Sequence, residues 1–279
     1  MARKIKRSGL NVERLESRAM LAGDVTVRVV AGKLEIEGDG LDNTIAIAAG
    51  ATAGAFLVTG TGTTINGSSA ALPAFTGVTA GIEVEMNAGN DSVTFGAVTV
   101  PQDLDIETGI GNDTVTLNAN LNVAGELNIE TGLDNDTVTA TTITVGRLEI
   151  ETGAGNDTVS LTGVTINQVA TGNLSNSKIG LAEIETGDGT DSVTINGLTA
   201  KRLRVNTGDG ADTANIKATV DRLSVKLSKG SDSLTLSATA AIANRLSLRG
   251  GSGTDTLTNN LTNPPATLKR IIRGFENGV

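Results

Sequence analysis

A fourteen-residue frame, L-x-I-E-T-G-x-G-N-D-T-V-T-L, recurs along the chain without internal gaps, and no other feature narrows the possible folds as far. Its first residues are Leu34, Ile82, Leu104, Leu127, Leu148, Ala182, Leu203, Leu223 and Leu246. Most steps between them are 20 to 23 residues, and those before Ile82 and Ala182 are 48 and 34. Within each frame L-x-I and V-x-L alternate with period two, as strands with one buried face do. Between them lies a Gly-, Asn- and Asp-rich hexapeptide, which is turn chemistry. The link to the next frame carries a third alternating pair: Val98/Val100, Leu121/Val123, Ile143/Val145 and Val164/Ile166. Three short strands per circuit of about 22 residues predict an all-β, single-stranded parallel β-helix, or β-solenoid. The 3.6-residue period of a helical solenoid is absent, and a propeller blade needs roughly 40 residues or more.

The two long steps then hold extra material. Asn167 to Gly180 reads as a loop thrown out of one coil, and Ala48 to Gly81 as a further coil or an attached hairpin. Leu268 falls 22 residues after Leu246, which predicts a last strand in LKRIIRGFE, with an amphipathic helix as the alternative. The resulting division is 1–22, a basic segment; 23–81, the first coils with extra strands; and 82–279, the regular solenoid with its loop at about 167–180.

Composition agrees with thin, repetitive packing. The 279 residues include 35 Gly and 4 Phe but no Trp, Tyr, His or Cys, so the core must be built from Val, Ile, Leu and Ala. Without Cys there are no disulfides or thiolate ligands, and without His the usual general base and transition-metal ligand are missing. Net charge is −9, of which the first 22 residues contribute +4 and the remainder −13. Such a body suits a hard cation better than nucleic acid. No apolar run is long enough for a transmembrane helix.

In a stacked solenoid each frame position becomes a column. The most constant is Asp91, Asp113, Asp136, Asp157, Asp191, Asp212, Asp232 and Asp255, with Asn43 in its place in the first frame. Each Asp lies two before an inward Val, Ala or Leu and so points to the coil interior. Carboxylates about 4.8 Å apart repel by roughly 1 kcal/mol per pair even in water, so the column needs a compensating partner.

The turns TGIGNDTVT (Thr108 to Thr116), TGAGNDTVS (Thr152 to Ser160) and GGSGTDTLT (Gly250 to Thr258) resemble the RTX nonapeptide G-G-x-G-x-D-x-U-x. That resemblance implies Ca²⁺ between successive turns, held by the Asp column together with Asp188 and Asp209 as acidic neighbours. It rests most on Asp113, Asp157, Asp191 and Asp212. It covers only nine residues per coil and implies at most one row of sites. Met86-Asn87 and Lys229 depart from the pattern. The bland reading is an Asp that caps its own turn amides. A right-handed coil is what the resemblance to known parallel β-helices implies.

Two further columns have bland readings beside functional ones. Glu85, Glu107, Glu130, Glu151 and Glu185, followed by Asn206, Lys226 and Arg249, read as a solvated edge; the change to basic residues would limit end-to-end association. Outward pairs such as Thr114/Thr116, Thr137/Thr139 and Thr158/Ser160 resemble the flat face of β-solenoid ice-binding proteins, and are also ordinary exposed strand residues. Pectate-lyase-like enzymes share the predicted architecture. Arg147, Lys201, Arg202 and Arg204 could line a lyase groove, although sugar-stacking Trp and Tyr are absent.

At the N-terminus, VERLESRAML resembles the LEPR-XLL sorting motif of planctomycete-type surface proteins, with Ser17 where that motif has Pro. This implies an extracellular or bacterial cell-surface location; a helix capping the solenoid is the alternative. The expected role is structural or adhesive, toward a surface or polysaccharide partner of unknown identity.

Overall fold

A computed structural model describes residues 23–167, 180–262 and 264–276. The N-terminal basic segment and nearly all of the 167–180 loop lie outside these residues. The described chain is all-β without helix and winds into a β-solenoid of about 8 turns, roughly 23 residues apart.

Each regular coil contributes to three faces. Face A carries the L-x-I positions, in strands such as Gly81–Glu85, Asp103–Glu107 and Leu181–Glu185. Face B carries V-x-L, in Ser92–Phe95, Thr114–Leu117 and Thr137–Thr141. Face C carries the linking pairs, as in Thr99–Val100 and Thr165–Ile166. Later coils run these pieces together into longer bent strands, Ser192–Asn206 and Thr213–Gly230. Pairing between coils is parallel and in register: Leu127 sits between Leu104 and Leu148, and Val138 between Val115 and Val159.

The alternation explains the core. Leu104, Leu127 and Leu148 on face A, Val115, Val138 and Val159 on face B, and Val100, Val123 and Val145 on face C are all fully buried. Each such side chain contributes about 1.5–3 kcal/mol, and stacking makes the contribution continuous along the axis. Thr165–Ile166 and Leu181–Glu185 keep this register on either side of the 167–180 loop.

The extra material before Ile82 is mainly hairpin, with one short coil-like parallel pairing of Thr64–Ile65 on Asp24–Val25. Phe56–Gly60 pairs antiparallel with Thr44–Ala49, and Asp24–Val30 pairs antiparallel with Lys33–Glu37. The second hairpin turns at Ala31 and Gly32, both at positive φ, as a tight two-residue hairpin turn requires. Phe56 and Val58 join the core, so these hairpins cover the open end of the stack.

At the other end the expected strand forms as Lys269–Arg273, but two residues out of the expected register. Arg270, not Leu268, stands over Leu246, and Ile272 over Leu248. Leu268 is held instead in a turn, its N–H donating to the Pro265 carbonyl at 2.9 Å. Among the described residues no coil covers this strand, and Arg270 in the inner column is exposed to solvent.

Candidate functional site

The corner between faces A and B is where the repeat is most constant. Along a strand every amide finds a carbonyl in the adjacent coil, but where the chain bends one amide per coil loses its acceptor, and a buried orphan amide is costly. The Asp side chain replaces the missing carbonyl. The Asp113 N–H donates to Asp136 Oδ1 at 2.8 Å, Asp136 to Asp157 at 2.8 Å, Asp157 to Asp191 at 2.8 Å and Asp191 to Asp212 at 2.9 Å. Asp212 continues to Asp232 at 2.9 Å and Asp232 to Asp255 at 3.1 Å. The ladder starts with the Asn43 N–H on Asp91 at 2.7 Å and ends with Asp255 donating to Glu276 Oε2 at 2.6 Å.

The glycines make this stacking possible. Gly109 and Gly187 adopt positive φ, and a Cβ on either would overlap the carbonyl oxygen of the coil beneath, that of Asn87 or Gly153. Where glycine is replaced, by Asn87, Asp134 or Ser228, the residue still holds positive φ.

All eight Asp side chains of the column are buried, and the Oδ2 atom of each has no hydrogen-bond partner. A buried Thr column accompanies them. Thr108, Thr131, Thr152 and Thr186 donate their hydroxyls to the next coil's Thr carbonyl, at 3.2, 3.3, 3.2 and 3.0 Å. The hydroxyls of Thr108, Thr131 and Thr186 also lie beside the carboxyls of Asp113, Asp136 and Asp191. A hydroxyl has one hydrogen, so it cannot serve both acceptors. Burial pushes the Asp91 carboxyl up to about 7, and those of Asp136, Asp191 and Asp232 up to about 6. Backbone amides pull the other way, and neighbouring carboxylates add to the rise. Asp113 and Asp212 are raised by the same burial.

The other expected acids do not join this line. Asp188 is exposed on the outside of its turn, and Asp209 pairs with Lys229 there. On that outer side a second ladder climbs through the Asn residues. The Asn135 side chain accepts from the Asn156 N–H at 2.7 Å and from Asn156 Nδ2 at 3.0 Å.

The donor set is short for Ca²⁺, which takes 6 to 8 oxygens. Asp Oδ1 atoms are engaged by amides, and the turn carbonyls of Asn87, Gly109, Gly132 and Gly153 each accept a neighbouring coil's N–H. Among the described residues no group of three or more acidic side chains converges as a metal site.

The basic residues suggested for a lyase groove separate. Arg147 is buried in ion pairs with Glu126 and Glu149, while Arg202 and Arg204 line a shallow groove of about 270 Å³ with Arg222, Arg245 and Arg249. No carboxylate lines that groove. On face B the Thr and Ser ranks are aligned from coil to coil, Thr116 between Thr94 and Thr139.

No protein family matches this sequence, and no curated protein or solved structure does either, so the functional argument rests on the chain's own geometry.

Proposed function

We propose that this chain is a structural rod of the secreted or cell-surface kind, adhesive in role, whose corner is held by a spine of aspartic acids. The observation that supports this is the ladder from Asn43 to Glu276, in which the most repeated polar group of the sequence is used to join coil to coil. Protons complete the spine. With a proton on Oδ2, Asp113, Asp136, Asp191 or Asp212 donates to the Thr hydroxyl beside it while that hydroxyl donates onward to the next coil's carbonyl. At those coils the Oδ2 atom gains a partner and the repulsion between neighbouring carboxylates falls; beside Asp91, Asp232 and Asp255 the Thr position is held by Met86, Leu227 and Gly250, which offer no hydroxyl.

Ca²⁺ along the Asp column is the second reading, and the eight orphaned Oδ2 atoms favour it, since a cation would satisfy them as a proton would. Asp157 and Asp191 would then be central ligands, supplying negative oxygen.

Melting curves with and without millimolar Ca²⁺ separate the two, using the parent chain and Asp157→Asn/Asp191→Asn. In the proton reading Ca²⁺ changes nothing, and the double variant melts higher than the parent at pH 8. In the calcium reading Ca²⁺ stabilises the parent by about 2.7 kcal/mol for a ligand at 100 times its Kd, which raises its melting temperature, and the variant loses most of that gain. Calcium-dependent release of unsaturated product from a polyuronate would overturn the structural role altogether in favour of a lyase.

A further inference from the structure

Face A changes sign along the rod. Its outward positions from Lys33–Glu37 to Leu181–Glu185 are mostly Glu and Asp, with Lys33 and Arg147 the cations among them. From Arg202 onward the same positions hold Arg, Lys and neutral residues and no acid, through Arg222, Lys226, Arg245, Arg249 and Arg273.

At the boundary Arg204 meets Glu183 at 3.1 Å; within the acidic coils Arg147 is surrounded by Glu126, Glu149 and Glu183, Lys33 pairs with Glu83 at 2.9 Å, and Arg28 pairs with Glu35 at 2.6 Å. Among the described residues, Arg222, Arg245 and Arg249 have no carboxylate partner and stand exposed. On the acidic side Glu107 and Glu151 are held above the usual carboxylate range by burial and by the like charges of their own column.

We propose that face A is a self-complementary surface on which a second copy of this chain docks antiparallel. A two-fold axis lying along the strands, between the Glu183 and Arg204 rungs, leaves positions along a strand unchanged and reverses the order of coils. Lys226 then stands opposite the second copy's Glu151, Arg249 opposite its Glu130, and Arg273 opposite its Glu107. Every one of these six residues is exposed. The interface is isologous, so each of these three pairs occurs twice, while Arg222 meets the second copy's Arg147, a buried residue already paired with Glu126 and Glu149.

The footprint fits a reversible dimer. Eight rungs at about 4.8 Å, each roughly 15 Å wide, give about 600 Å² per copy, near the lower limit for a specific interface. Surface ion pairs of this kind set register and orientation and weaken with salt.

An acidic polysaccharide on the arginine groove is the competing occupant. It would neutralise the basic coils but meet repulsion from the acidic ones on the same face, whereas a second copy engages both.

Sedimentation equilibrium of the full chain at about 50 mM and about 500 mM salt tests the proposal. The expected result is a dimer at low salt that reverts to the 28.2 kDa chain at high salt. Lys226→Glu/Arg249→Glu and Glu130→Arg/Glu151→Arg change only exposed side chains, and unchanged circular dichroism confirms their fold. Each variant alone should be a monomer, and an equimolar mixture should restore the dimer, because each acidic half again faces a basic one. A parent chain that stays monomeric at every salt, or a mixture that fails to associate, overturns the proposal. So does a monomer retained on immobilised polyuronate through Arg245 and Arg249, which would make a polyanion the occupant.

Discussion

Two ladders climb each turn from adjacent residues. Asn112 and Asp113 are neighbours with side chains of nearly the same shape, yet one lies outside the turn and the other within it. Asn135 Oδ1 accepts from the following coil, while Asp136 Oδ1 accepts from the preceding one. The outer ladder is wet, so losing a rung merely returns an amide to water. The inner one is dry, and each rung there is the sole acceptor of a corner amide. The difference teaches that position relative to solvent, not hydrogen-bond count, decides which repeated polar residue holds this solenoid together.

Breaking the inner ladder should have the largest effect. Asp157→Ala strands the Asp136 amide and leaves a small void, a cost of about 3 kcal/mol. For a chain of this size that lowers the melting temperature by about 6–12 °C in a calorimetric scan. A loss no greater than that of an outer-ladder change would erase the contrast.

Acidity comes next, because it acts on the inner ladder and not on the outer one, whose Asn side chains do not titrate. The folded-state values of Asp91, at about 7, and of Asp136, Asp191 and Asp232, at about 6, lie above the ordinary 3.8. The folded chain therefore keeps protons that the unfolded chain has released. This contribution is complete below pH 4 and is lost as pH rises through 6 to 7. The melting temperature should fall by several degrees between pH 5 and pH 8, and a rise over that interval would refute protonated corners.

The smallest effect belongs to Asn135→Ala. Its exposed rung should contribute less than about 1 kcal/mol, visible as a shift of no more than a few degrees at any pH.

The sequence made the solenoid legible because period-two alternation and a fixed repeat leave few alternatives, and it identified the Asp column and its inward direction. It did not distinguish a cation from an amide as the carboxylate's partner. That depends on which corner amides lack a carbonyl, and the bend that creates the vacancy is not written in any one residue. Thr108 and Thr131 were invisible as companions of the Asp column, since a Thr before Gly reads as turn composition. The Glu-to-Arg change at Asn206, Lys226 and Arg249 was visible as a column, but its meaning needed the neighbouring columns, Arg204 and Arg245 among them, laid side by side on one face. The last strand slipped by two because register there is set by the turn at Pro265, where the repeat no longer holds.

The ends of the inner ladder carry a further consequence. Asn43 begins it and the Glu276 side chain finishes it, so both terminal rungs are made by residues outside the repeating Asp set. Length and termination are thus encoded separately. A duplication or loss of one whole coil in the middle leaves both terminations intact and changes the molecule's reach by about 4.8 Å. Such a gene can set a distance by counting, and can do so in increments that neither end has to notice.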